Sequence, residues 1–353
     1  LLRRITGEPD IDLRVIFERV MPEHRYFDEG FQREVRWDVP LTEGYDFAAL
    51  EDTSLEREIS NSDVLWVHGW QTAQMRRAIR VAAGSGKPVL MRGENCEIAM
   101  PDGRGIKGWL KRRYLARIFA NCRAFLTIGS LNRSYYRARD IDDARMFHVP
   151  YAIDNTTFAD AADRARAAQP DLRDMLNVDR DAPVILYAGK LSKRKHPELL
   201  ADAVRALNDM SPKPVLVYAG DGEMMAEMKT RAPDALFVGF INQSELPAFY
   251  AMADVFVLPS EMEPWGLAVN EAMACGTAVV VSDQVGAAPD LVDESCGAVF
   301  ESGNVNALVS ALRRCLATSD EMGAKARQKI SGWDFSADVD GLKQALQFVS
   351  PQP

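Results

Sequence analysis

At 353 residues the chain is long enough for two hydrophobic cores, since single domains mostly hold roughly 100–200 residues. Its composition, 47% apolar and 26% charged, is that of an ordinary globular protein, and no run approaches the ~18 consecutive apolar residues a membrane span needs. A net charge of −9 excludes a general nucleic-acid binder, whose phosphate contacts need a basic face, so any basic patch must be local.

In chain order, LLRRITGEPDIDLRVIF (1–17) reads as the end of a helix followed by a strand, and the first strand of the fold is expected upstream of it. Short apolar, β-branched runs then recur: LRVIF (13–17), VLWV (64–67), PVLM (88–91), AFLTI (124–128) and MFHV (146–149) in the first half. The second half has VILYA (184–188), VLVYA (215–219), LFVG (236–239), VFVL (255–258) and AVVVS (278–282). Continuous apolar strands joined by stretches of helical length indicate parallel sheets covered on both faces. The expectation is an α/β fold with two doubly wound, Rossmann-like domains, at 1–150 and 184–332. The polar, Ala/Arg/Asp-rich stretch 151–183 is poor in strand formers and reads as the interdomain connection. Residues 333–353 carry apolar positions at helical spacing and read as a terminal helix. The five cysteines, Cys96, Cys122, Cys275, Cys296 and Cys315, are scattered, with no C-x-x-C pair and no nearby paired histidines, and read as small apolar residues in a reducing cytoplasm.

Ligands of open parallel sheets collect beyond the carboxyl ends of the strands. Three such loops in the second half carry unusual residues. In YAGKLSKRKHPELL a strand is followed by Gly189, Lys190 and Lys195, then a helix opening at Pro197; glycine admits a phosphate to the backbone and two ammonium groups suit a diphosphate. The plainer alternative is a solvated lysine loop. YAGDGEM places Gly220 after a strand, by itself only a turn signal. The third loop, SEMEPWGLAVNEAMACGTAVVVSD, holds Glu263 and Glu271 on either side of seven residues. On one helix they would stand about 12 Å apart along the axis, too far to share a proton. Pro264 suits the edge of a helix start, and Gly266, Leu267 and Ala268 would offer free N–H groups there to a phosphate. Two carboxylates flanking a diphosphate, each a natural acceptor for hydroxyls, describe a nucleotide sugar. The plainer alternative is that both merely favour the helix start, by about 0.3–1 kcal/mol, which explains neither the spacing nor Pro264 and Gly266.

GKLSKRKHPELL, AGDGEM, FVGFINQSELPAFYAMADVFVLPS and EAMACGTAVVVSD, with the Glu263 to Glu271 spacing, together resemble the donor half of retaining GT-B glycosyltransferases of family four, over residues 184–302. The resemblance implies two Rossmann-like domains facing across a cleft, with the terminal helix packing back on the first. It implies that Lys190 and Lys195 hold the donor diphosphate, Glu271 the ribose and Glu263 the transferred sugar, and that the backbone of Gly239, Phe240 and Ile241 borders the base. The family often has Arg where Lys190 stands, so charge is kept and bidentate geometry lost. The first half resembles the family less specifically, and the histidine many members carry after one strand is replaced by Arg92-Gly93-Glu94. His68, Arg92 and Glu94 are the candidates on the acceptor side, with a structural role for His68 an equal alternative.

GRGIKGWLKRRYLARIFANC (103–122) has six Arg/Lys from Arg104 to Arg117 and no acid, with aromatic and aliphatic residues between them. It could make peripheral contact through 104–119 with an anionic membrane, or be a surface helix with its apolar stripe in the core. Asp10-Ile11-Asp12 and Asp338-Val339-Asp340 lack the setting of a metal–nucleotide site, and no metal or cofactor is expected. The expected function is a metal-independent, retaining transfer of sugar from a nucleotide diphosphate sugar, a UDP-sugar by default, to a glycan, lipid-linked or small-molecule acceptor in the cytoplasm or at the inner face of the membrane, in polysaccharide or glycoconjugate biosynthesis. The alternatives are a non-catalytic sugar-nucleotide-binding subunit and a sugar-nucleotide epimerase or hydrolase on the same fold.

Overall fold

The computed structural model describes residues 1–20, 25–28, 33–36, 38–39 and 41–350. Among them the strands are, in chain order, β1 (Arg14–Phe17), β2 (Arg25–Asp28), β3 (Arg33–Arg36), β4 (Asp46–Ala49), β5 (Leu65–His68), β6 (Val89–Arg92), β7 (Ala124–Thr127), β8 (Met146–His148), β9 (Val184–Ala188), β10 (Val215–Ala219), β11 (Leu236–Gly239), β12 (Val255–Leu258), β13 (Ala278–Ser282) and β14 (Gly297–Phe300). The backbone divides into two compact units, one of Leu1–Pro22, Leu41–Tyr151 and Phe335–Pro353, the other of Glu23–Pro40 and Ala152–Asp334.

In the first unit β5-β6-β7-β8 form a parallel sheet, and β1 pairs with β4 in a separate parallel pair. Successive side chains of a strand point to opposite faces, and β6 and β7 are buried along their whole length because both faces of the sheet are covered there. Val89, Met91 and Phe125 enter one core, under helices Leu55–Ser60, Ala73–Gly84 and Gly105–Phe119; there Phe125 lies 4.7 Å from Tyr136 and 5.5 Å from Phe119 between ring centres. Leu90, Ala124 and Leu126 enter a second core, closed by Val339, Leu342 and Ala345 of helix Phe335–Val349. The side-chain oxygens of Ser54 and Thr72 cap helices Leu55–Ser60 and Ala73–Gly84, each accepting from a first-turn N–H that has no partner within the helix.

The second unit holds a six-stranded sheet in the order β11-β10-β9-β12-β13-β14, parallel at every pairing. The chain steps outward from β9 to β11, then returns to lay β12 on the other side of β9, so the strand order reverses between β9 and β12. Such a reversal leaves a crevice at the carboxyl ends of the two strands where the connections diverge. Ile185, Tyr187, Tyr218, Val257 and Val280 pack beneath helices Pro197–Arg205 and Val305–Ala317. The antiparallel β2-β3 hairpin belongs to this unit.

From Ala152 onward, the stretch read as an interdomain connection is built into the second unit. Its helix Asn155–Ala167 is tied down by Asn155 Nδ2 donating to Ile330 O at 2.9 Å, Arg166 Nη2 to Cys275 O at 2.6 Å, and a two-pronged Arg327–Asp163 pair at 2.8 and 2.7 Å.

Candidate functional site

The loops after β9 and β12 meet at the reversal point of the second sheet. After β9, Gly189 N–H donates to Ala219 O at 2.9 Å and Leu191 N–H to Asp221 O at 2.9 Å, which stitches this loop to the one after β10. The approach is so close that a Cβ on Gly220 would lie 1.8 Å from Gly189 O, so glycine at 220 is a packing requirement as well as a turn. A short 3-10 turn, Lys193–Lys195, ends at His196 in the left-handed region (φ 48°), and Pro197 starts the helix at its first position.

After β12, Glu261 N–H donates to Arg194 O at 2.9 Å, fastening this loop to the lysine turn. Glu263 N–H donates to Gln284 O at 3.1 Å and Glu263 O accepts from Gly286 N–H at 2.8 Å, so its backbone is held from both sides. Gly266 sits at φ +97°, a conformation that costs other residues strain, and turns the chain into helix Leu267–Ala274. The N–H groups of Leu267 and Ala268 open that helix at its positive end, Val269 N–H already donating back to Gly266 O at 2.9 Å. Leu267, in its first turn, is 40% exposed, so this end is open to a ligand.

The structure brings Lys195 and Glu263 into direct contact, Nζ donating to Oε2, with both side chains mostly buried. Lys190 Nζ donates to Asp28 Oδ1 at 2.6 Å; Asp28 comes from β2 and is itself buried. Glu271, in the second turn of its helix, accepts from Tyr250 Oη–H at 2.8 Å. Burial pushes its carboxyl up to about 7, and the Tyr250 hydrogen bond pulls partly the other way. The two glutamates therefore have different partners and do not share a proton. Gly239 ends β11 in the left-handed region (φ 76°), with Phe240 and Ile241 half-buried beyond it. Ser244, just past them, hydrogen-bonds Asp38, so the hairpin segment reaches two loops of the site, through Asp28 and Asp38.

Sequence reasoning missed four of these partners. His196 bridges Glu198 (Nδ1 to Oε1, 2.7 Å) and Glu261 (Nε2 to Oε2, 3.2 Å), joining the two loops a second time. It stands in the quoted stretch GKLSKRKHPELL, but its left-handed backbone and both glutamate contacts appear only in the structure. Tyr250 lies within the quoted stretch FVGFINQSELPAFYAMADVFVLPS but nothing there marked it as a partner of Glu271, and Asp28 and Asp38 lie outside every quoted stretch.

In the first unit the acceptor-side candidates separate. Arg92, at the end of β6, is sealed inside: Nη2 donates to Asp338 Oδ1 at 2.9 Å, Pro150 O at 2.7 Å and Val149 O at 3.2 Å, and the guanidinium lies 4.9 Å over the Tyr151 ring. The expectation that Arg92 meets an acceptor is thereby corrected: a guanidinium 3% exposed and ion-paired to the terminal helix is a structural lock. Glu94 is exposed two residues on, its loop held by Asn132 Nδ2 donating to Gly93 O at 3.0 Å and Asn95 O at 2.7 Å. His68, at the end of β5, is exposed and stacked on Trp66 at 5.2 Å. Among the described residues no group of three or more His, Cys, Asp or Glu side chains is arranged to hold a metal ion, and no helix is long and apolar enough to cross a membrane.

Residues 168–331 match the family described as "Glycosyl transferases group 1". The chain is 28% identical over 260 residues to a GDP-mannose-dependent alpha-(1-6)-phosphatidylinositol monomannoside mannosyltransferase of Mycolicibacterium smegmatis, covering 68% of this chain and 67% of the relative. It is 33% identical over 190 residues to the sulfoquinovosyl transferase SQD2 of Arabidopsis thaliana, covering 51% of this chain and 36% of that one. A UDP-Gal:alpha-D-GlcNAc-diphosphoundecaprenol alpha-1,3-galactosyltransferase of Escherichia coli is 29% identical over 218 residues, with 58% and 54% covered. The chain thus spans about a third to two thirds of the length of these relatives. Among solved structures, sucrose-phosphate synthase from Thermosynechococcus elongatus aligns at TM-score 0.67 and 18% identity, covering 95% of this chain and 88% of that one. Anabaena HepE in complex with UDP aligns at 0.68 and 16%, covering 86% of each chain. At such identities the likeness is one of fold, and that fold is GT-B: α/β, with two Rossmann-like parallel-sheet domains.

Proposed function

We propose, from a chain whose residues 168–331 match the group 1 glycosyl transferases, that the protein is a retaining, metal-independent glycosyltransferase using a nucleotide diphosphate sugar, a UDP-sugar by default. The observation that carries this reading is the Lys195–Glu263 pair beside the open helix start at Gly266, at the reversal point of the sheet. On it, the donor diphosphate takes Lys195 and Lys190 as cationic partners, with Gly189 and the Leu267 and Ala268 N–H groups completing its cradle. Binding exchanges partners: Lys195 turns to phosphate and Glu263 is released to accept from sugar hydroxyls. Lys190 likewise exchanges Asp28 for phosphate. Glu271 accepts from the ribose hydroxyls, and the Gly239–Ile241 backbone borders the base.

Bond cleavage builds charge on the departing diphosphate. Fixed cations and N–H groups aimed at that charge stabilise the transition state more than the ground state. Retention follows from attack on the same face, the leaving phosphate taking the acceptor proton; no protein nucleophile is required. Glu94 and His68 are the acceptor-side groups, and the acceptor is a glycan, a lipid-linked sugar or a small molecule. The protein works in the cytoplasm, at a membrane by peripheral contact.

A thermal-shift series over nucleoside diphosphates and their sugars tests this. A ligand at 100 times its dissociation constant adds about 2.7 kcal/mol to stability. The expected result is a shift with one nucleoside diphosphate, reduced in Lys195→Ala, followed by sugar transfer that depends on acceptor. Stoichiometric turnover of the donor alone would count against transfer, and no shift with any nucleotide would overturn the reading.

A further inference from the structure

Helix Gly105–Phe119, in the first unit, has two apolar faces. Gly108, Leu115, Ile118 and Phe119 are buried and hold the helix on the core. The opposite face carries Ile106, Trp109, Leu110 and Tyr114 at 78%, 59%, 53% and 43% exposure, four large apolar side chains concentrated in little more than two turns. Single exposed apolar residues are ordinary, but a cluster on one helix face is a contact surface. The core stripe therefore accounts for only half of the apolar residues in this helix, which the sequence period could not reveal.

The charges around the cluster divide in the same way. Arg112 pairs with Asp102 at 2.7 Å and Lys111 Nζ donates to Pro101 O at 2.7 Å; both fasten the helix to its own unit. Arg104, Lys107, Arg113 and Arg117 are exposed and have no acidic partner among the described residues. Arg113 and Arg117 share the outward stripe with Ile106, Trp109 and Leu110, following the i, i+3, i+4, i+7 spacing of one helix face. The Arg113 guanidinium lies 5.8 Å over the Trp109 ring, and Tyr114 meets Trp70 edge-on at 6.2 Å, so the aromatic groups are braced. A segment with no acid, in a chain of net charge −9, selects for a negatively charged partner.

We infer that this face seats the protein on an anionic lipid bilayer, with Ile106, Trp109, Leu110 and Tyr114 entering the headgroup–acyl boundary and Arg104, Lys107, Arg113 and Arg117 meeting lipid phosphates. Trp and Tyr favour that boundary because one end of each is apolar and the other polar, and long basic side chains reach up to the headgroups from beside them. Apolar insertion and phosphate attraction act together, as they must for a helix lying in the interface. The inference gives the peripheral contact of the proposed function its residues, and it uses nothing from the donor site.

The test is sedimentation of the full chain with vesicles of phosphatidylcholine alone and of phosphatidylcholine with phosphatidylglycerol, nucleotide binding being followed in the same preparations. Binding is expected only to the anionic vesicles, and to weaken with added salt. Arg113→Gln with Arg117→Gln should weaken it at least tenfold, since each basic residue is worth roughly fivefold. Ile106→Ser with Leu110→Ser should weaken it comparably at unchanged thermal stability. Trp109→Phe should retain binding and lose the blue shift of tryptophan emission that insertion produces. Equal binding to neutral vesicles, no binding, or indifference to both double variants would overturn the inference. So would a dimer in sedimentation equilibrium that Trp109→Ser dissolves, because the face would then be covered by a second copy. Vesicle binding without nucleotide binding would sink the donor-site reading and leave this one standing.

Discussion

Two ion pairs, one in each unit, stand at the carboxyl ends of parallel strands and differ in what their surroundings allow. Arg92–Asp338 is sealed, with side chains 3% and 1% exposed and carbonyl oxygens taking further guanidinium hydrogens. Lys195–Glu263 is less enclosed, at 15% and 12%, beside a helix start that no side chain caps. Breaking a sealed pair strands a charge in protein, which is destabilising by several kcal/mol. A pair at the rim of a site can instead exchange partners with a ligand. The sequence invites the same functional reading for Arg92 and Lys195, since both follow a strand; burial and partners separate them.

That contrast can be broken most directly through Asp338. Asp338→Ala should cost about 3–5 kcal/mol in urea unfolding, because it leaves Arg92 charged and enclosed, and Arg92→Met with Asp338→Leu should recover most of the loss. A loss below about 1 kcal/mol would mean the pair is not the lock described. The counterpart, Lys195→Ala, should cost clearly less stability than Asp338→Ala, because the Glu263 carboxylate it leaves is nearer water, and should lower the turnover of sugar transfer by about 10²–10³, the usual cost of removing one group that stabilises developing negative charge. If it unfolds the protein instead, the two pairs are alike and the contrast fails.

Glu271 ties the second unit's site to pH. Its carboxyl is raised to about 7 in the folded protein, so between the ordinary glutamate range and about 7 the folded state binds more protons than the unfolded one. Unliganded stability from this group therefore falls as pH rises through that window, and Glu271→Gln should flatten the fall in melting temperature. Nucleotide affinity should move the opposite way, rising from pH 6 to 8 as the carboxylate forms, and the Gln variant should lose that slope. The smallest effect expected is at Asp28. Removing the acid that occupies Lys190, in Asp28→Asn, should tighten nucleoside diphosphate binding about fivefold, as expected for a partly exposed pair worth about 1 kcal/mol. Weaker binding would show that Asp28 positions Lys190 rather than competing for it.

The same comparison explains what the sequence made legible. Ten strands announce themselves as short apolar runs, most plainly β6, β7, β9, β12 and β13, every residue of which is buried. DFAA at β4 is only half-buried, GAVF at β14 opens on glycine, and the β2-β3 hairpin is short and largely polar, so none gave a periodic signal. In the candidate donor site, Gly189, Lys190, Lys195, Glu263, Gly266 and Glu271 were readable because each loop lies in one continuous stretch. Their partners were not, since Asp28 meets Lys190 across 162 residues, and in the first unit Asp338 was equally hidden, meeting Arg92 across 246. Residue type and local spacing proposed the groups, and only the sheet order put the lysine turn beside Glu263.

The claim on which the rest depends is that Lys195 leaves Glu263 for a nucleoside diphosphate. Calorimetric titration of UDP and GDP into the wild-type protein and Lys195→Ala tests it most directly. One-to-one binding of at least one of the two nucleotides is expected, weakened tenfold or more by the substitution, in line with loss of a charge-assisted contact of about 1.5–3 kcal/mol. Binding of equal strength in both proteins, or none in either, would contradict it.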